Sequence, residues 1–190
     1  TGFIKAWVGG IDFKHFSYDH VFQSKRQVGS TIKPFVYASL FIERGREFGP
    51  CYEIPNQPYT FYKGEYGILK DWTPHNPGRE YGYKVSLKYG LANSMNTITA
   101  WAMRQISPQH VADFMKQAGL KSDIEPVPAL CLGVADISVY EMVGAYASFA
   151  NRGRYLEPIY ISRIEDKNGN LIVDMSLSRR QTDLISEENA

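Results

Sequence analysis

From residue 32 onward the apolar positions fall into a helical rhythm: Ile32, Phe35, Val36 and Leu40 recur at three- and four-residue intervals, with Ser39 on the same face. The pattern predicts a buried helix that starts at or beside Ser30 and ends at Arg44-Gly45, a cationic last turn followed by a stop glycine. Pro34 falls in the first turn, where backbone N–H groups lack intrahelical partners in any case. Upstream, residues 2–10 alternate large apolar side chains with small or charged ones and stop at Gly9-Gly10, which predicts a strand. Thr1-Gly2 resembles the end of a turn, so a partner strand is expected before it. Residues 12–27 have no sustained period and read as loop, as do residues 49–83, rich in Gly, Pro, Asn and Tyr.

Downstream the rhythm is helical again. A short helix is expected near Ser86 to Ala92, a break at Asn93 to Asn96, and a second helix from Thr97 to Ile106. Ser107-Pro108 caps a third, with Val111, Phe114, Met115 and Ala118 as its stripe and Gly119 as its stop. Ser138-Val139-Tyr140-Glu141 is a capping box that opens a fourth, ending near Asn151-Arg152-Gly153. Residues 158–164 and 171–174 flank Lys167-Asn168-Gly169-Asn170 and predict a hairpin. Ser186-Glu187-Glu188 reads as the start of another helix just before Ala190, so both ends are expected to be cuts in a longer protein.

Composition narrows the classes. An apolar share of 44% supports one packed domain, and 21 Lys+Arg against 20 Asp+Glu leave no net field to draw nucleic acid or an anionic membrane. No apolar run is long enough to span a bilayer. Cys51 and Cys131 are far apart and read as two buried free thiols. Four scattered histidines, with His15 and His20 near Asp12 and Asp19, have no spacing that would converge them on a metal, so no metal or cofactor is expected.

Candidate chemistry lies at the head of the first buried helix, Gly29-Ser30-Thr31-Ile32-Lys33-Pro34-Phe35. A serine and a lysine three residues apart share a helix face, and an amine desolvated there can accept the serine proton. An N-capping serine followed by an exposed lysine produces the same letters. Ser94-Met95-Asn96, at the break between two helices, offers a hydroxyl that can relay a proton and an amide that can hold a peptide; an ordinary Ser/Asn junction reads identically. Trp72, His75 and Asn76 sit in the long loop before the helical lobe, a position suited to substrate contact, whereas the tyrosines around them read as loop packing.

Taken together, Gly9-Gly10-Ile11-Asp12-Phe13, Gln23, Arg26-Gln27, the Ser30 to Lys33 run, Leu91-Ala92-Asn93-Ser94-Met95-Asn96, Leu132-Gly133 and Ala145 to Gly153 resemble the transpeptidase domain of class A penicillin-binding proteins. The resemblance covers nearly the whole chain. It implies an α+β fold of the penicillin-binding protein and serine beta-lactamase type, truncated here to a helical lobe and a partial antiparallel sheet, with residues 1–190 as part of one domain. It implies Ser30 as acylated nucleophile, Lys33 as general base, Ser94 as proton relay and Asn96 as holder of the substrate amide, with Trp72 and Asn76 on the cleft rim. The reaction implied is acyl transfer from D-Ala-D-Ala stem peptides of peptidoglycan, with beta-lactams acylating the same serine. A glycosyltransferase domain upstream, a membrane anchor and a site on the periplasmic, extracytoplasmic face of the cytoplasmic membrane go with it.

One departure stands out: the family's Lys-Thr/Ser-Gly strand motif is absent. Lys167-Asn168-Gly169 lacks the hydroxyl and Lys121-Ser122-Asp123 lacks the glycine. Since lost oxyanion stabilisation costs roughly 100- to 1000-fold, the chain by itself is expected to be nearly inert. The apolar face of the Ser30 helix, at Ile32, Phe35 and Val36, is expected to be exposed, or buried by a dimer of two copies. A penicillin-recognising sensor or scaffold without turnover, and a serine beta-lactamase, remain as alternatives. The latter needs a base for deacylating water, and no convincing Glu-x-x-x-Asn signature lies between the two motifs.

Overall fold

The computed structural model describes residues 2–12, 14–78 and 80–187. At its centre is helix α1 (Lys33–Arg44), entered through a 3-10 turn at Gly29–Ile32. Phe35 through Leu40 are buried without interruption, so this part of α1 is enclosed on every side, the mark of a core helix rather than a surface one. Around it pack α2 (Leu87–Ala92), α3 (Asn96–Ile106), α4 (Pro108–Gln117) and a second 3-10 turn at Pro128–Leu132. α5 (Val139–Ala150) closes the lobe through Tyr146 and Phe149, whose rings lie 5.2 and 5.3 Å from that of Phe35.

The strands form four separate antiparallel pairs. β1 (Lys25–Gln27) pairs with β4 (Asp136–Ser138), and β2 (Glu53–Pro55) with β3 (Lys84–Ser86). β5 (Arg154–Leu156) pairs with β8 (Gln181–Asp183), and β6 (Arg163–Glu165) with β7 (Leu171–Asp174), which is followed by the helical turn α6 (Met175–Ser178). β6 and β7 form the hairpin expected around Asn168-Gly169, although its first strand starts at Arg163 and not at residue 158, and Gly169 supplies its positive φ of 82°.

Two helix starts follow local chemistry directly. Ser86 caps α2 by accepting from the Tyr89 N–H, and Ser138 and Glu141 close the capping box of α5. Glu141 also accepts from Ser122 and from the Lys121 and Ser122 N–H groups. Burial pushes its carboxyl up, but these hydrogen bonds outweigh it and hold the group at about 2.

Three expectations are corrected. The strand over residues 2–10 does not form: only Phe3 bridges to Ile159, in parallel, because a strand needs a neighbour along its length. Ile32, Phe35 and Val36 are 0% exposed within a single chain, so no second copy is needed to cover them. Exposed apolar side chains lie instead on α5, where Val143 is 62% and Val139 54% accessible. Cys131 is buried and free, as expected, but Cys51 is free and exposed. The helix expected from Ser186 falls largely on residues 188–190, outside the described residues. Among the described residues no helix is long and apolar enough to cross a membrane.

Candidate active site

The turn that carries Ser30 is fixed from three sides. Val28 donates to the Ala135 carbonyl at 3.1 Å and Gly29 to that of Gly133 at 3.0 Å, extending the β1–β4 pairing up to the turn. The Tyr146 hydroxyl of α5 donates to the Thr31 carbonyl at 2.6 Å. Gly133 has φ +78°, and a Cβ there would stand 2.0 Å from the Gly29 carbonyl oxygen, so only glycine permits this approach. Ser30 itself is exposed, one turn before Lys33.

Lys33 is 1% exposed, yet its amine has partners. Nζ donates to the Ser94 carbonyl at 2.5 Å, to Ser94 Oγ at 3.0 Å and to Asn96 Oδ1 at 2.7 Å. An ammonium has three N–H donors, so this set saturates it. Among the described residues no hydrogen bond joins the Ser30 hydroxyl to this amine; loss of one proton would free both a lone pair and one of the three partners. Burial lowers the amine from its usual 10.5 to about 8. The Cys131 thiol is held neutral, pushed by burial up to about 12.

Ser94 occupies the left-handed region at φ 52°, a conformation costly for a residue with a Cβ and most often kept at functional turns. The turn is held by Ser94 N–H donating to Leu91 at 3.0 Å and Met95 N–H to Gly90 at 2.8 Å. Asn96 opens α3, whose preceding residue Met95 offers no side-chain cap. The cap comes from the distant loop: Asn76 Oδ1 accepts from the Asn96 N–H at 2.8 Å and the Thr97 N–H at 3.2 Å. The Asn96 amide donates to the His75 carbonyl at 2.9 Å.

The structure thus gathers Lys33, Ser94, Asn96 and Asn76. Trp72 stands apart from them, bridging in antiparallel fashion to Phe61 and packing its ring 5.7 Å from that of Phe61. The Asn76 carboxamide is fully engaged: besides the two N–H groups it accepts, it donates to Asn56 and Thr97. Asn56 and Thr97 were not singled out from the sequence for this site, because they act across long chain separations, and Gly133 and Tyr146, though in runs that carry the resemblance, were given no role at the site. A cavity of about 180 Å³ lies beside the turn, lined by Asn76, Tyr83, Tyr89, Asn93 and Ser94 among others. A larger hollow of about 910 Å³, lined by Trp7, Phe22, Tyr140 and Tyr160, contains none of the residues Ser30, Lys33 or Ser94. His15 meets Asp12 at 2.7 Å on the surface, and no group of three or more metal-ligating side chains occurs among the described residues.

A buried amine one turn after an exposed serine is a group that, once it has lost a proton, can accept another. Residues 1–189 match the penicillin binding protein transpeptidase domain family, and the chain belongs to it. It is 32% identical over 172 residues to penicillin-binding protein 1A of Vibrio cholerae, covering 90% of this chain and 20% of that protein. Among solved structures it is similar to penicillin-binding protein 1A of Haemophilus influenzae, with a TM-score of 0.74, 31% identity, and coverage of 88% of this chain and 24% of that one. It is also similar to PonA1 of Mycobacterium tuberculosis solved with penicillin V, with a TM-score of 0.73, 25% identity, and coverage of 90% and 46%. The chain spans about a fifth of the length of the curated relative from V. cholerae.

Proposed function

We propose that this chain is the serine-bearing part of a peptidoglycan D,D-transpeptidase. The observation that carries the reading is the Lys33 amine, buried one turn after Ser30 and held within 3.0 Å of Ser94 and Asn96. With the amine at about 8, roughly a tenth of it is neutral at pH 7, enough to supply a base with no metal. Ser30 Oγ attacks the carbonyl carbon of the penultimate D-Ala while its proton passes to Lys33 Nζ. The C–N bond to the terminal D-Ala breaks, and the departing amine takes a proton relayed through Ser94. An amine of a neighbouring stem then attacks the acyl-serine ester, and Ser30 regains its proton.

Asn96 would meet the substrate amide with its carboxamide. Beta-lactams would open on the same oxygen, a reading supported by the penicillin V complex of the similar PonA1. The stem peptides and beta-lactams would be met outside the cytoplasmic membrane, where the cell wall is built. The rim role expected for Trp72 would be an indirect one, through the Phe61 bridge.

Labelling the protein that contains this chain with a fluorescent penicillin tests the reading. A covalent label that persists for hours and is abolished by Ser30→Ala is the expected result. Rapid loss of the label would instead indicate a beta-lactamase. Absence of labelling in the unaltered protein would refute acyl transfer and leave a scaffold.

A further inference from the structure

Beneath the Ser94 to Asn96 turn lies a cluster of three uncharged polar side chains, Asn56, Asn76 and Thr97, of which Asn56 is 1% and Thr97 0% exposed. The Asn76 amide donates to Asn56 Oδ1 and to Thr97 Oγ1, both at 3.0 Å, and the Thr97 hydroxyl donates to Asn56 Oδ1 at 2.8 Å. Asn56 is anchored in turn: its amide donates to the Glu80 carbonyl at 2.7 Å, its N–H donates to Tyr83 and its carbonyl accepts from Gly82. With every donor and acceptor of Asn76 engaged, the carboxamide can take only one orientation, oxygen toward α3 and nitrogen toward Asn56.

We propose that Asn76, set by Asn56 and Thr97, is a positioning residue for acyl transfer: by accepting the first two N–H groups of α3 it fixes where Asn96 Oδ1 and the Ser94 turn stand against Lys33. The proposal rests on the reading of Ser30 as the acylated residue. Two features require such a part. α3 has no cap of its own, so its first N–H groups would otherwise be open. The neighbouring Ser94 is in the left-handed region and returns to an extended or right-handed form unless its surroundings hold it. Asn96 is therefore gripped at three points, its N–H by Asn76, its amide by His75 and its oxygen by Lys33. Release of the first lets the side chain swing, and misplacement of about 1 Å at a catalytic group costs on the order of 100-fold in rate.

The test is the rate constant for acylation by a fluorescent penicillin, measured on the protein that contains this chain. The amplitude of labelling counts folded molecules, and the rate constant reports how well each one's site is assembled. Asn76→Leu, close in shape but unable to accept, is expected to lower the rate constant by about 10- to 100-fold at retained amplitude. Asn76→Asp keeps an acceptor for the two N–H groups but loses both donations to Asn56 and Thr97, so it is expected to recover only part of the loss. A fall confined to the amplitude, or an unchanged rate constant in Asn76→Leu, overturns the proposal. If Asn76→Leu does not fold, the isosteric Thr97→Val decides: a drop of about 3- to 10-fold supports the proposal and an unchanged rate constant overturns it. Labelled wild type with unaffected variants overturns this inference alone, whereas unlabelled wild type overturns the acylation reading and this one with it.

Discussion

Replacing Lys33 by methionine keeps an unbranched side chain, one atom shorter, and removes its titration, which makes the buried amine measurable through stability. In the folded chain burial holds the amine at about 8, whereas in the unfolded chain it returns to 10.5. Between these values the unfolded state binds a proton that the folded state does not, so folding is favoured increasingly as pH rises through this window. Below about pH 8 both states are charged, and folding bears the whole cost of burying the ammonium, offset by its bonds to Ser94 and Asn96. Linkage over pH 7 to 10 gives a gain of about 2 to 3 kcal/mol for wild type relative to Lys33→Met. Other groups titrate in the same range, but they do so in both proteins and cancel in the difference. Urea unfolding of both, at half-unit steps from pH 7 to 10, measures it. Parallel stability profiles would mean that the amine is not depressed, and Lys33 would lose its claim to be a base near neutral pH.

Two further outcomes are expected. Gly133→Ala places a methyl 2.0 Å from the Gly29 carbonyl and forces a left-handed backbone on alanine; it is expected to cost about 2 to 4 kcal/mol in thermal unfolding and to slow penicillin labelling by displacing the Ser30 turn. Glu141→Gln removes a carboxylate whose folded value is about 2 against an ordinary 4.5, so the stability it contributes is present above pH 4.5 and lost as pH falls toward 2; the variant is expected to be about 1 kcal/mol less stable at pH 6, with the difference vanishing near pH 2 in acid unfolding followed by circular dichroism.

How far the letters carried depended on the reach of the force involved. The capping box at Ser138 and Glu141 joins residues three apart, and α5 begins where those letters place it. The approach of Lys33 to Ser94 and Asn96 spans more than sixty residues and was legible only through family resemblance; spacing alone leaves an exposed lysine equally open. The early strand failed because alternation describes a strand's faces and says nothing of its partner. Exposure of Ile32, Phe35 and Val36 failed because it was argued from the absence of covering strands, whereas α3, α4 and the Tyr146 and Phe149 rings of α5 already enclose that part of the helix. Asn76 stood out from the sequence as a rim residue, but a carboxamide in a loop carries no sign of whether it will meet a ligand or a helix end; only the open N–H groups of α3 decide.

The hydrogen bonds between Lys33 and the Ser94 turn close a loop of some sixty residues, so the reactive centre exists only after α1 and α3 have docked. If acylation proceeds as proposed, a nascent or collapsed chain would carry the same serine but an ordinary, fully protonated lysine. Covalent capture by a penicillin in the protein that contains this chain would then double as a clock for maturation, starting only once the lobe has locked.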